Sequence, residues 1–507
     1  MTATGSADGA AGRAGLPGHV RVAVVGAGFA GIGAVIKLRE AGYNDVVVLE
    51  RAESVGGTWR DNTYPGCACD IPSHLYSFSF APNPGWTRSF SRQPEIWRYL
   101  EDVCDRFDVR RCVRFGVEVT GAQWDEPAGH WRLTTSRGEL NADVLVSAAG
   151  GLSQPAVPGL PGLAEFGGAA FHSARWDHRV ELTGARVAVV GTGASAIQFV
   201  PRIQPRVARL HVFQRTPPWI VPRRDREIPP RRRRLFRAAP AVQRLARAAV
   251  YLSREAPVAG FVAAPAAMRA VQALARRHME AQVADPALRA ALIPDYRAGC
   301  KRILLSDDYY PALARPNVEL VPAGMRAFTR DGVIAADGRT RPVDVVIFGT
   351  GFEATDPPIS HRIRGRGGVL LADVWAAAGM QALRGSTVAG FPNLFLLVGP
   401  NTGLGHNSIV FIIECQLRYL VDALRTMDAA GLAAIEPTAA AQRRWNDDVQ
   451  RRMRRTVWAT GGCTSWYQDD QGRIPTLWPG STLRFRRLTR AIDLTEYRAA
   501  RRPAAVG

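Results

Sequence analysis

A strand, a glycine turn, a helix, a second strand and an acid follow one another without interruption from Val22 to Glu50, in VAVVGAGFAGIGAVIKLREAGYNDVVVLE. The apolar run Val22 to Val25 leads into Gly26, Gly28 and Gly31, an amphipathic stretch continues to about Glu40, and the run Val46 to Leu49 ends on Glu50. Glycines at this spacing let the chain turn tightly, let the backbone approach a pyrophosphate and let the helix pack on the strand. The helix N-terminus then presents free N–H groups and the positive end of its dipole to the phosphates. Glu50 lies 19 residues past Gly31, where a carboxylate accepts hydrogen bonds from ribose hydroxyls. The pattern predicts a βαβ dinucleotide cradle.

It occurs twice. Adding 165 to each position lands on Gly191, Gly193, Ala196 and Arg215 in VAVVGTGASAIQFVPRIQPRVARLHVFQR. The offset sets Arg215 where the first copy has Glu50, and Thr216 beside it adds a hydroxyl. A carboxylate repels a 2′-phosphate and a guanidinium binds one. The first cradle is therefore expected to hold an adenosine with a free 2′-hydroxyl, as in FAD or NAD, and the second to prefer NADP. The predicted fold is α/β, with two doubly wound Rossmann-like dinucleotide-binding domains and a helical insertion.

The 507 residues suffice for two or three domains. Residues 1–19, rich in Gly and Ala and without the apolar centre of a secretory signal, read as a disordered tail. The longest stretch free of Asp, Glu, Lys and Arg, Gly385 to Ile413, is interrupted by Pro392, Asn393, Pro400, Asn401, His406 and Asn407. It reads as a buried strand, loop and helix, not a transmembrane segment. The helix starts near Asn407 or Ser408, either of which suits a cap. Seven scattered cysteines predict reduced thiols in a cytoplasmic protein, and the C-x-C of Cys67 and Cys69 lacks the further ligands of a metal site. Of the 65 basic residues behind the net charge of +20, all but Lys37 and Lys301 are arginine. Such a bias reflects coding composition more than a polyanionic partner, and Arg231 to Arg234 reads as a solvated face. No nucleic-acid motif accompanies the charge, and peripheral contact with a membrane stays open.

After the first cradle comes ESVGGTWRDNTYPGCACDIPSHLYSFSF. Gly56 and Gly57 let the backbone lie against a flat ring, and Trp59 and Tyr64 offer apolar walls. Asp70, set among Tyr, Ile, Leu and Phe, needs a cation or a cleft. GGTW followed by YPG and Asp70 resembles the flavin-proximal segment of flavin-dependent Baeyer-Villiger monooxygenases, relatives of the flavin-containing monooxygenases. Phe166, Gly168, His172, Trp176 and Asp177 reproduce that family's pattern F-x-G-x-x-x-H-x-x-x-W-[P/D] at every specified position.

The resemblance implies that this motif is a linker coupling nicotinamide binding to the flavin site. It implies FAD on Gly26, Gly28, Gly31, Glu50, Gly57, Thr58, Trp59 and Asp70, and NADPH on Gly191, Gly193, Ser195, Arg215, Thr216 and Lys301. Arg302 is implied to reach the flavin with Asp70 as its charge partner. Trp466 is placed near the nicotinamide or substrate, with Trp458 and Trp478 as alternatives. An arginine suits the task because it stays protonated and offers a planar fork of donors to an oxyanion. The implied reaction is a monooxygenation in which O2 adds to the reduced ring and the resulting peroxide attacks a ketone, giving an ester or lactone. The partners are then O2 and a small lipophilic carbonyl or thioether substrate. An N- or S-oxygenating flavin monooxygenase, or an NADPH oxidase or electron-transfer flavoprotein, is the alternative.

The expected domain limits are 20–150 and 385–495 for a discontinuous FAD-binding domain and 151–222 and 301–384 for the NADP-binding domain. Leu235, Val242, Leu245, Ala249 and Leu252 at helical spacing mark a helical insert, 223–300, that partly roofs the site. Residues 113–149 read as short strands ending in LVSAAG, an expected sheet edge. SQPAVPGLPG, 153–162, is an expected hinge.

Overall fold

The computed structural model describes residues 15–501, so residues 1–14 of the expected tail lie outside the described residues. His19–Val25 and Val46–Glu50 pair in parallel, Val22 beside Val46 and Val25 beside Leu49, and helix Phe29–Glu40 connects them. Val46–Glu50 is buried at every position, which is why it reads as an unbroken apolar run: parallel strands covered on both faces have no polar side. The full sheet has eight strands, ordered 363–364, 119–125, 130–135, 138–147, 19–25, 46–50 and 113–115, with Leu394–Leu396 also pairing on Gly138–Ser147. The strand ending in LVSAAG is therefore central, not an edge. It pairs with His130–Thr135 on one side and His19–Val25 on the other, and Val144, Leu145 and Val146 are wholly buried. The return crossing into this domain also comes earlier than residue 385. Ile363–Arg364 already pairs with Val119–Asp125, and Leu371 and Trp375 join the core beneath the sheet.

The second domain is a five-stranded parallel sheet, 318–321, 209–213, 186–190, 345–348 and 169–172. Helix Ala196–Ile203 opens just after its glycine turn and buries Ile197, Phe199, Val200 and Ile203. Phe199 meets Tyr64 of the first domain and Trp176 of the linker, with ring centroids 6.0 and 5.3 Å away. A ring buried this completely contributes about 2–3 kcal/mol, here shared across both nucleotide domains.

The insert folds as predicted into helices, Pro230–Ala238, Pro240–Glu255, Val258–Val262, Met268–Glu280 and Pro286–Ala291. Its apolar stripe does not face the protein: Leu235, Val242, Leu245 and Leu252 are 48%, 38%, 71% and 61% exposed. Gly385 to Ile413 forms strand Leu394–Leu396, a loop and the start of helix Ile409–Ala429, which Ser408 caps by accepting from the Val410 N–H. Among the described residues no single helix is long and apolar enough to cross a membrane. The reduced-thiol expectation is corrected at one pair, since Cys300 and Cys463 form a disulfide while the other five cysteines are free. The two partners are 163 residues apart, so no local spacing announces them.

Two buried imidazoles give the fold a pH dependence. Burial, and then Arg232 and Arg247, lower the pKa of His74 to about 4, and burial lowers that of His172 to about 4 despite the hydrogen bond that opposes it. The unfolded chain takes up these protons near pH 6.5 and the folded one only near 4, so the unfolded state binds more protons in between. Stability is full above pH 6.5 and falls as the pH drops towards 4, by up to about 3 kcal/mol per histidine. Thermal unfolding at pH 7.5, 6 and 4.5 is expected to show a midpoint that declines by several degrees across this window. A flat profile contradicts neutral burial of these rings.

Candidate active site

The first cradle is built as a phosphate site requires. Gly26 has φ +101°, and a Cβ there would lie 2.8 Å from the Ala148 carbonyl oxygen; one on Gly31 would lie 1.9 Å from the Gly26 oxygen. Neither position admits a side chain. Gly28 and Gly57 approach backbone to backbone, and Gly57, at φ +52°, precedes the short helix Thr58–Asp61. No side chain caps the helix starting at Phe29, so its first N–H groups stay free for an anion. Buried Glu50 accepts from the Ala27 N–H at 2.8 Å, the Ala52 N–H at 3.0 Å and Arg60 at 3.0 Å. A carboxylate offers about four acceptor sites, which leaves capacity for a ribose hydroxyl. Buried Trp59 donates its indole N–H to the Tyr76 hydroxyl at 3.0 Å.

The second cradle repeats the turn, with Gly191 at φ +102° against the Gly349 carbonyl, Gly193 exposed, and no side chain capping the helix that follows Ser195. Its ribose end needs a correction. The Gly26 N–H bonds to the Leu49 oxygen, whereas the Gly191 N–H bonds to that of Phe213. The second connection is one residue shorter, so neutral Gln214, not Arg215, sits where the first copy has Glu50. Arg215 comes one residue later, exposed and with no hydrogen bond or ion pair among the described residues. Adjacent Thr216 receives the Thr192 hydroxyl on its carbonyl at 3.3 Å. Lys301, over the Tyr296 ring at 5.2 Å, has its pKa lowered by burial and then by the charge of Arg215. Two cations that repel each other thus lie next to a position without an acid, an arrangement of charge that suits a phosphate.

Between the cradles Arg302 donates through Nε to Asp70 Oδ2 at 2.6 Å and through Nη1 to the Leu404 carbonyl at 3.3 Å. These partners are 232 residues apart in the chain. Each side chain is 27% exposed, so the pair is largely buried yet still reaches solvent. The charge of Asp70 holds Arg302 above even the usual arginine range. Burial alone would raise Asp70, but the charge and hydrogen bond of Arg302 outweigh it and keep the carboxyl below its ordinary value. The result is a permanent cation, fixed in direction, in a site of reduced polarity. Buried Tyr467, beside Arg302, has its hydroxyl raised by burial and partly drawn back by that guanidinium. Trp466 packs on Tyr467, centroids 4.5 Å apart, and is 50% exposed, while Trp458 and Trp478 are buried. The Cys300–Cys463 disulfide joins the residue two before Arg302 to the one three before Trp466.

The flavin-side segment is tied to the second domain by Gln198, which composition and motif do not single out. Its amide accepts from the Ala68 N–H at 3.1 Å and donates to the Ala68 carbonyl at 3.0 Å. Burial pushes the Cys67 thiol up to about 12 and the neighbouring Cys69 thiol higher still, so neither is a ready nucleophile. Residues of the Phe166–Asp177 motif and its neighbour are held by local contacts. A Cβ on Gly168 would meet the Asp344 carbonyl oxygen at 2.2 Å, and the His172 Nδ1 accepts from the Ala174 N–H at 3.1 Å. Asp177 accepts from the Arg179 backbone and guanidinium, and His178 meets Thr63 of the flavin-side segment at 2.8 Å.

Two nucleotide cradles with a cation fixed between them define the class: an oxidoreductase with two dinucleotide sites, of which only the first has an acid at its ribose end. Residues 23–246 match the pyridine nucleotide-disulphide oxidoreductase family model. A Baeyer-Villiger monooxygenase of Streptomyces coelicolor is 56% identical over 491 residues, 96% of this chain and 94% of that one. Cyclohexanone monooxygenase from Rhodococcus sp. Phi1 bound to NADP+ is 31% identical with a TM-score of 0.85, covering 96% of this chain and 100% of that one. OTEMO in complex with FAD and NADP is 28% identical, TM-score 0.85, covering 95% and 99%. The chain belongs to the Baeyer-Villiger monooxygenase family and is an FAD-dependent NADPH monooxygenase.

Proposed function

We propose that this protein inserts one atom of O2 into a small lipophilic ketone, giving an ester or lactone. The observation that carries this reading is the Asp70–Arg302 pair, a cation held in one direction and still partly exposed. Gly26, Gly28, Gly31, Gly57, Thr58 and Trp59 would hold FAD, and Glu50 would accept from its ribose. Gly191, Gly193 and Ser195 would hold NADPH, and Arg215, Thr216 and Lys301 would bind its 2′-phosphate. Bound FAD supplies hydride acceptance and oxygen activation. Arg302 would hold negative charge developing on oxygen, Asp70 orients the guanidinium, and Trp466 would lie near the nicotinamide or substrate. Gln198, bonded to both backbone groups of Ala68, would keep the two nucleotide sites in register.

The test is a product screen of the FAD-loaded enzyme with NADPH over linear, cyclic and aromatic ketones and one thioether. Ester or lactone formed in step with NADPH supports the proposal. Sulfoxide as the sole oxygenated product, or hydrogen peroxide alone, refutes it in favour of heteroatom oxygenation or an oxidase.

A further inference from the structure

Helix Pro240–Glu255 of the insert is built inside out. Apart from Val250, which packs on the main core, the residues it turns towards the protein are polar and spaced four apart. Gln243 donates to the Asn83 carbonyl at 2.7 Å, and Arg247 donates to the His74 and Ser77 carbonyls at 2.6 and 3.0 Å. The Tyr251 hydroxyl meets that of Thr482 at 2.7 Å, and the buried Glu255 carboxylate accepts from the Asn407 amide and the Thr482 N–H, both at 2.7 Å. The opposite face, Ala241, Val242, Leu245, Ala248, Ala249 and Leu252, is exposed and carries no polar side chain. It runs for about 16 Å along the helix, and Leu235 of the preceding helix adds to it. A globular protein normally turns such a helix the other way. The polar anchors fix this orientation, so the apolar stripe is presented outward.

The charge around the stripe says what covers it. From Ile228 to Arg254 there is no Asp or Glu. Arg231, Arg232, Arg234, Arg237 and Arg244 are all exposed along these two helices. A second copy of the same face would bring the same cations against one another, with no acid to pair them. A surface that is apolar beneath and anionic on top fits both features, as the interfacial boundary of a bilayer containing acidic lipids does.

We propose that helices Pro230–Ala238 and Pro240–Glu255 dock the enzyme on anionic membrane surfaces, the stripe entering the headgroup boundary and the arginines binding lipid phosphates. Docking of this kind is independent of the reaction assigned above, and a lipophilic substrate partitioned into the bilayer would reach the insert from the same side.

The test is flotation of full-length, FAD-loaded enzyme with vesicles of phosphatidylcholine alone or with about 30 mol % phosphatidylglycerol. Binding to the acidic vesicles is expected, weaker binding to the neutral ones, and loss of most binding near 1 M salt, where the Debye length is about 3 Å. Leu245→Asp/Leu252→Asp, at exposed positions, is expected to weaken binding to acidic vesicles at least about tenfold. Arg231→Glu/Arg234→Glu/Arg244→Glu should weaken it as much, and both variants should retain flavin and turnover of soluble substrate. The proposal is overturned if acidic vesicles are not bound at low salt, or if the leucine variant binds them like the parent. A parent dimer in light scattering that the leucine variant converts to monomer also overturns it and assigns the stripe to a second copy.

Discussion

Arg302→Ala is expected to leave reduction of the bound flavin by NADPH within about threefold of the parent while lowering ester formation by ~10²–10³-fold, the usual effect of removing a donor to a developing oxyanion. The separation follows from geometry, since Arg302 lies between the cradles and forms no part of either glycine turn. The NADPH still consumed should appear as hydrogen peroxide. Truncation also leaves Asp70 without its cation, which costs about 3–5 kcal/mol when a buried pair loses one member, so flavin content and unfolding temperature must be measured beside turnover. Arg302→Lys is the informative companion. It keeps the charge but loses the planar fork that spans Asp70 and the Leu404 carbonyl, and it should recover stability more than ester formation. Ester made at the parent rate by Arg302→Ala refutes the role.

Arg215→Ala is expected to raise the KM for NADPH by ~10–100-fold and that for NADH by less than about twofold. A charged hydrogen bond to phosphate contributes about 1.5–3 kcal/mol, and only NADPH carries the 2′-phosphate. With Gln214 at the ribose position, no carboxylate stands there to repel a 2′-phosphate. Lys301 already feels the charge of Arg215, so Lys301→Ala should act in the same direction and the double variant should be less than additive. Equal effects on the two coenzymes would remove Arg215 from the phosphate site.

Both cradles were legible in the sequence because their chemistry is local: glycines at fixed spacing, flanked by runs that can only be buried parallel strands. The linker pattern was legible for the same reason. Pairing Asp70 with Arg302 needed a resemblance, since 232 residues separate them, and a carboxylate in apolar company announces only that some cation is required. A constant offset misassigned the ribose position, because one residue is missing from the second connection and sequence arithmetic cannot see which carbonyl a glycine N–H will choose. The central placement of Gly138–Ser147 was hidden because an apolar strand end looks alike at an edge and in the middle of a sheet. The disulfide, the Gln198 bridge and the outward face of Pro240–Glu255 depend on tertiary neighbours from far along the chain. For that helix, periodicity correctly gave a stripe, and only the polar anchors Gln243, Arg247, Tyr251 and Glu255 decide which way it points.

The most direct measurement is turnover of a cyclic ketone by the FAD-loaded enzyme with NADPH under ¹⁸O2, read by mass spectrometry of the product. Oxygen insertion into the ketone predicts a lactone carrying one ¹⁸O atom, formed in near-equal amount to the NADPH consumed. A product without label, or labelled hydrogen peroxide with the ketone unchanged across every ketone tried, would contradict it.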